Sequence, residues 1–228
     1  MKLDLQTHTH HSPACGWLSP RSLVETAAAR GLDGVAITDH NTTAGWAAAR
    51  RHAPSGFHVI PGEEVDTTGG QVIGLFVEAR IEPGRGVAET IGAIHDQGGL
   101  AVAPHPYDRF RSGLGDLARY AEGIDAVEVL NARCLLPRDN RRAAAFAAES
   151  GLPALGGSDG HFAGEVGSAY TVVEVADGAD DPRESIAEAI LAGRTRPAGS
   201  GSTPLYHAGT ALVKAYNRIG RSRRPAPP

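Results

Sequence analysis

Short apolar segments alternate with amphipathic or alanine-rich segments along most of the chain, and this alternation restricts the possible fold more than any other feature. Runs such as KLDL, GVAIT, LAVA and DAVEVL have the length of buried strands, and the segments between them have helical spacing. We count about seven strand–helix units. Such alternation favours a parallel sheet with right-handed crossovers, and so many units in one domain favour an irregular α/β barrel over an open sheet.

Capping residues mark the ends of several predicted helices. Ser19 and Pro20 have the order of an N-cap and a first helical residue, and Gly31 follows the helix end. Asp139 is expected to cap the helix in DNRRAAAFAAESG, and Asp181 opens the capping-box pattern DPRE. These signals support the alternation of helices with strands.

The chain divides into a barrel and a short C-terminal extension. We expect the barrel to occupy 1–200 and a helix over 201–220 to pack on or beside it. The basic and proline-rich segment 221–228 is predicted to be a disordered tail.

Polar residues follow six predicted strands in succession. The motifs are QTHTHH, DHN, GEE, PHP, NAR and SDGH. Barrels of this type build their active sites at the C-terminal ends of the strands. Histidine supplies imidazole nitrogen, and aspartate and glutamate supply oxygens that can bridge two ions. One HxH motif is a modest signal, but the ordered series predicts a multinuclear metal site at those strand ends.

These motifs resemble those of the PHP family, the polymerase and histidinol phosphatase domain. The segments DLQTHTHHS, LDGVAITDHN, VIPGEEV, AVAPHPYDR, VEVLNAR and LPALGGSDGHFAGEVGSAYTVV have counterparts there in the same order, over roughly 1–195. The resemblance implies a distorted (β/α)7 barrel. It also implies two to three divalent ions of manganese, zinc or iron, and for most members a phosphoesterase activity.

The resemblance assigns metal-ligand positions residue by residue. They are Gln6, His8, His40, Glu64, His105, Asp159 and His161. It also implies a metal-bound hydroxide, held by His8, Glu64 and Asp159, as the nucleophile. Asp39, which precedes His40, is expected either to orient a ligand or to cap a helix.

The chain departs from the family pattern at two positions. Gln6 replaces the first histidine of DLHxH, and SPACG has no aspartate after its serine. A neutral amide oxygen binds zinc-like ions more weakly than imidazole, so two ions are expected more than three. Cys15 and His10 stay open as substitute ligands, and Asn131 stands where other members place Cys, His or Asn.

Three arginines lie near the predicted mouth of the barrel, and Arg109 and Arg133 are favoured over Arg111 for binding phosphate. The leading hypothesis is a metal-dependent phosphoesterase acting on a small phosphorylated substrate, a nucleotide or a phosphomonoester. One alternative is an amidohydrolase-like, ester or carbamate hydrolase; another is a metal-poor binding module without catalysis. His207 is expected to be an ordinary surface or half-buried residue.

Composition narrows the possible partners and location. The net charge of −4 gives no general attraction to nucleic acid or to anionic membranes, so no stable nucleic-acid complex is expected. No apolar run reaches the roughly 20 residues that a bilayer requires, and the N-terminus does not resemble a signal segment. Two cysteines make no disulfide framework. We therefore expect a cytoplasmic protein.

Overall fold

The computed structural model describes residues 1–175 and 181–222, and in this part of the chain nine strands form one sheet. The strands are β1 (Lys2–Thr7), β2 (Gly34–Ile37), β3 (His58–Thr67), β4 (Gly70–Leu75), β5 (Leu100–Ala103), β6 (Ala126–Asn131), β7 (Ala154–Gly157), β8 (Ala169–Val173) and β9 (Thr195–Gly199). The helices are α1 (Pro20–Ala29), α2 (Trp46–His52), α3 (Val87–His95), α4 (Pro137–Ser150), α5 (Pro182–Leu191) and α6 (Leu205–Ser222), with a 3-10 helix at Leu117–Tyr120.

The sheet is nearly closed into a barrel. Its strands lie in the order β7, β6, β5, β4, β3, β2, β1, β8, β9. After β7 the chain returns to β1, where the Asp159 backbone nitrogen donates to the Gln6 oxygen at 2.8 Å and the His8 nitrogen donates to the Gly160 oxygen at 2.9 Å. We call this contact the seam. The predicted α/β barrel is confirmed.

The number and direction of the strands differ from the prediction of about seven parallel strands. Strand β4 is antiparallel to β3 and β5, and β8 is antiparallel to β1 and β9. The tight β3–β4 turn requires Gly70, because its φ is +129° and a Cβ there would lie 2.6 Å from the Gly113 oxygen. The TRPAG segment of β9 gives no strand signal, since proline and glycine disfavour strands.

Two of the predicted helix starts are confirmed and one is wrong. Ser19 Oγ accepts from the Ser22 nitrogen at 3.0 Å ahead of α1, and Asp181 caps α5. The expected cap Asp139 lies instead inside the first turn of α4. That helix begins at Pro137, because the fixed φ of proline suits the first helical position.

Two apolar clusters hold the layers together. The larger one packs helical residues such as Leu23 of α1 and Ile94 of α3 against strand residues such as Val35. The second packs Ile186 of α5 against strand residues such as Leu3. Each fully buried aliphatic side chain contributes about 1.5–3 kcal/mol, so these clusters fix the strand ends that carry the polar motifs.

Helix α6 lies against the strand ends that carry the polar motifs. The Tyr206 ring stacks on Phe162 with centroids 5.8 Å apart, and Asn217 Nδ2 donates to the Ala14 oxygen at 3.1 Å. The helix begins at Leu205 and covers the first two residues of the predicted tail, and 223–228 lie outside the described residues. None of the described helices has the length and apolar character needed to cross a membrane.

Candidate metal centre

The strand ends bring six of the predicted ligands to one end of the barrel. They are His8 after β1, His40 after β2, Glu64 in β3, His105 after β5, and Asp159 and His161 after β7. All except His40 are at most 5% exposed. His105 and Asp159 have φ values of 30° and 53°, which non-glycine residues rarely adopt, and such strained backbone concentrates at functional sites.

Three imidazoles and two carboxylates form what we call the histidine side: His8, His40, His161, Glu64 and Asp159. One nitrogen from each histidine lies within 4.8 Å of the others. His8 Nε2 is 3.2 Å from both Glu64 Oε2 and Asp159 Oδ1, and His40 Nδ1 is 3.4 Å from the same Glu64 oxygen. Buried His8 Nε2 makes no hydrogen bond of acceptable geometry. Donors bound to one tetrahedral ion at about 2.0–2.1 Å lie about 3.3 Å apart, so these residues fit a divalent ion.

The ionisation states also suit metal binding. Burial lowers the pKa of His40 and His161, and it lowers the pKa of His105 to about 4. Burial alone would raise the pKa of Glu64, but the adjacent imidazoles of His40, His105 and His8 lower it well below its usual value. At neutral pH the site therefore presents neutral imidazoles and a carboxylate, the forms that bind metal.

Neighbouring side chains fix the orientation of two of the histidines. His8 Nδ1 lies 3.3 Å from Ser12 Oγ, which donates to Asp39 Oδ1 at 2.7 Å. His161 Nδ1 lies 2.7 Å from the Asp159 backbone oxygen, and its Nε2 lies 3.2 Å from the sulfur of Cys15. Because burial raises the pKa of the Cys15 thiol to about 12, that sulfur is protonated in this arrangement. Asp39 is thus linked to His8 through Ser12, whose Oγ also accepts from the His40 backbone nitrogen at 3.2 Å.

On the opposite flank, Gln6, Glu128 and Asn131 form what we call the amide side. Asn131 Nδ2 donates to Glu128 Oε2 at 2.9 Å, and the Gln6 amide lies against both Glu128 oxygens, with its nitrogen oriented to donate to them at 2.8 and 2.9 Å. Burial raises the pKa of Glu128 to about 8. The predicted ligand Gln6 is thus bonded to other side chains, apart from the histidine side. His105 Nε2 lies 3.2 Å from Glu64 Oε1, so Glu64 faces both groups.

The arginines are arranged differently from the sequence-based expectation. Arg133 is 4% exposed, and its guanidinium lies 2.8 Å from His161 Nδ1 and 3.5 Å from Glu165 Oε2. Arg111 also enters the site, although the sequence favoured Arg109 over it. Arg109 is exposed, and its side chain is not part of the cavity wall.

A cavity of about 310 Å³ opens over the histidine side, and α6 forms part of its wall. The contributing residues are His207, Thr210, Ala211 and Lys214. Their i, i+3, i+4, i+7 spacing places them on one face of the helix and could have indicated a shared surface. The sequence-based expectation for His207 was instead an ordinary surface or half-buried residue. Glu128 was also missed, because a β-bulge between it and Leu130 brings Asn131 beside it, and bulges leave no clear sequence signal.

The fold and the site define an α/β barrel protein with a candidate metal centre at the strand ends. The chain belongs to the PHP family: the PHP domain matches residues 4–136, and a PHP-associated region matches residues 137–195. Uncharacterized protein MJ1587 of Methanocaldococcus jannaschii is 39% identical over 142 residues, which are 58% of this chain and 82% of that protein.

Solved structures share the fold at low identity. A two-domain protein from Bacteroides vulgatus, described as containing a predicted PHP-like metal-dependent phosphoesterase, matches with a TM-score of 0.71 at 20% identity, over 88% of this chain and 65% of that one. An Endonuclease Q bound to duplex DNA with an abasic lesion matches with a TM-score of 0.65 at 20% identity, over 88% of this chain and 60% of that one. This chain thus spans less than two thirds of either. The family membership and the collected donors support a metal-dependent hydrolase.

Proposed function

We propose that this protein is a metal-dependent phosphoesterase that acts on a small phosphorylated substrate, a nucleotide or a phosphomonoester. The observation that carries the proposal is the histidine side, whose donors lie at ligand spacing beneath a cavity lined by Arg111, Arg133 and Lys214. Cationic side chains around a metal centre suit a phosphate group. A volume of about 310 Å³ suits a compact ligand.

The residues of the site have separate roles in the proposed reaction. A bound divalent ion supplies Lewis acidity and makes water a stronger nucleophile. His8, Glu64 and Asp159 would hold that ion. Arg133 and Lys214 bring positive charge to the phosphoryl oxygens, where negative charge develops. The element and number of ions stay predictions, at two to three of manganese, zinc or iron, and so does the cytoplasmic location.

A hydrolysis screen on metal-defined protein tests the proposal. The untagged chain is stripped with a chelator, reloaded with manganese, zinc or iron, and assayed on matched aryl phosphate, aryl acetate and anilide substrates. We expect phosphate ester cleavage that depends on the added metal and is lost in Glu64→Gln. Glu63→Gln is the matched control, because Glu63 instead bonds to the Ile81 nitrogen at 2.7 Å.

The same screen separates the alternatives. Cleavage of the acetate or the anilide, but not of the phosphate ester, would favour the amidohydrolase-like, ester or carbamate hydrolase. If the protein neither binds metal nor hydrolyses any of the substrates, a binding module is favoured. Because the barrel resembles that of Endonuclease Q, an abasic DNA duplex is added to the screen. Cleavage of that duplex in preference to the small phosphate ester would contradict the small-substrate proposal.

A further inference from the structure

The amide of Asn131 has no capacity left for a metal ion. Its Oδ1 accepts from Arg111 Nη2 at 2.7 Å and from the Arg133 backbone nitrogen at 2.8 Å, which occupies both lone pairs. Its Nδ2 donates to Glu128 Oε2 at 2.9 Å and to Asp159 Oδ2 at 3.1 Å, which uses both of its hydrogens. The position where other family members place Cys, His or Asn therefore holds an amide bonded within the protein.

Arg111 is held in this position from both ends. Its guanidinium bonds to the Asp159 carboxylate and to Asn131 Oδ1. Its Nε lies 3.1 Å from Asp108 Oδ2, and Asp108 is itself buried and accepts from the Phe110 nitrogen at 2.9 Å. These bonds leave further N–H donors of the guanidinium, which lines the cavity, free for a ligand.

The donors left for a second ion are too few. Glu64 Oε1 and His105 Nε2 lie 3.2 Å apart and face the amide side, but Asn131 Oδ1 and one Asp159 oxygen are already bonded to Arg111. A guanidinium at that place also repels a divalent cation. On the histidine side, in contrast, His8 Nε2, Glu64 Oε2 and Asp159 Oδ1 converge, and none of these three atoms bonds to a guanidinium of the described residues.

We propose that Arg111 takes the place of a second metal ion, so that this site holds one ion, on the histidine side, instead of the two to three that the family resemblance implies, and uses a fixed guanidinium on the amide side. The inference rests on the proposed function, because it assigns the charge that faces the phosphate to a side chain and an ion rather than to two ions. Arginine suits that role, since its planar donors match phosphate oxygens.

Metal counting tests the inference without an activity assay. Chelator-treated protein is titrated with manganese, and bound ions are counted by elemental analysis and by electron paramagnetic resonance, which separates isolated ions from coupled pairs. We expect about one isolated ion per chain in the parent and a coupled pair in Arg111→Met and Arg111→Ala. Arg109→Ala, an exposed arginine on the same loop, is the control and should stay at about one ion.

Two results would overturn the inference. One is a coupled pair in the parent protein. The other is a single isolated ion in both neutral Arg111 variants, with circular dichroism showing that they are folded. A parent protein that binds no ion is a different result: it removes the proposed function itself, and with it the inference. Both Arg111→Met and Arg111→Ala are made so that, if one variant does not fold, the other still tests the inference.

Discussion

The histidine side and the amide side both contain residues that can bind a metal ion, but they differ in how far their polar atoms are already bonded. On the histidine side, buried His8 Nε2 lacks a hydrogen bond although two carboxylate oxygens lie 3.2 Å away. On the amide side, the Gln6 and Asn131 amides both bond to Glu128, and Arg111 Nη2 donates to Asn131 Oδ1. The difference indicates that a residue of ligand type is available to a metal ion only where the surrounding structure leaves its donor atom free.

The largest expected effect comes from Glu64, which faces both flanks. In Glu64→Gln the carboxylate that accepts from His105 and lies beside His8 and His40 is replaced by a neutral amide. Loss of a partner behind a ligand weakens metal binding by about 10–100-fold, and loss of this ligand should exceed that range. A titration with manganese, read by isothermal calorimetry, measures the change. Unaltered affinity would remove the histidine side as the metal centre.

The second prediction concerns Arg133, the more deeply buried of the two arginines in the site. Arg133→Met leaves Glu165 buried and without its cation, which should lower the free energy of unfolding by about 3–5 kcal/mol. Urea denaturation measures it, and the double variant Arg133→Met/Glu165→Gln should recover much of the loss. If the single variant is as stable as the parent, Arg133 has no structural role and serves the cavity alone.

The third prediction concerns the pKa of Glu63, which differs in direction from that of the adjacent Glu64. Burial raises the pKa of Glu63 from 4.5 to about 7, whereas the neighbours of Glu64 lower its pKa. The folded state therefore keeps a proton that the unfolded state releases. The stability from neutral Glu63 is fully present below pH 4.5 and is lost as the pH rises through about 7. Urea denaturation of chelated protein should show a slope of at most about −1.4 kcal/mol per pH unit in that window.

Subtracting the curve of Glu63→Gln isolates this contribution, since the variant keeps every other titrating group. An identical pH slope in the parent and the variant would show that Glu63 stays ionised in the folded protein.

The smallest expected effect concerns α6. Lys214 lines the cavity and makes no hydrogen bond or ion pair with the rest of the described chain, so it is available to a phosphate. An exposed charge pair contributes at most about 1 kcal/mol, which corresponds to about a fivefold rise in KM for Lys214→Ala. Leu212→Ala, 73% exposed on the same helix, is the matched control. An equal change in both variants would point to the helix rather than to the charge.

The sequence predicted the histidine side more closely than the amide side. His8, Glu64 and Asp159 stand in ordered motifs after strands, and parallel strand ends converge by geometry. The state of Gln6 depends on Asn131 and on a bulge in β6, which periodicity does not reveal. Arg109 and Arg111 have the same local sequence context, so only the course of their loop distinguishes them. The antiparallel direction of β4 follows from its short turn after β3, a local signal that the count of strand–helix units did not use, whereas the direction of β8 depends on tertiary pairing.

The seam links the beginning of the chain to the end of the seventh strand through two backbone hydrogen bonds. His8 and Asp159 flank those same bonds, so an ion held between them would join two parts of the chain that are distant in sequence. Such an ion would stabilise the folded barrel, because its ligands converge only in the folded chain and the ion is released when the chain unfolds. The metal concentration would then set the stability of the barrel as well as its proposed activity.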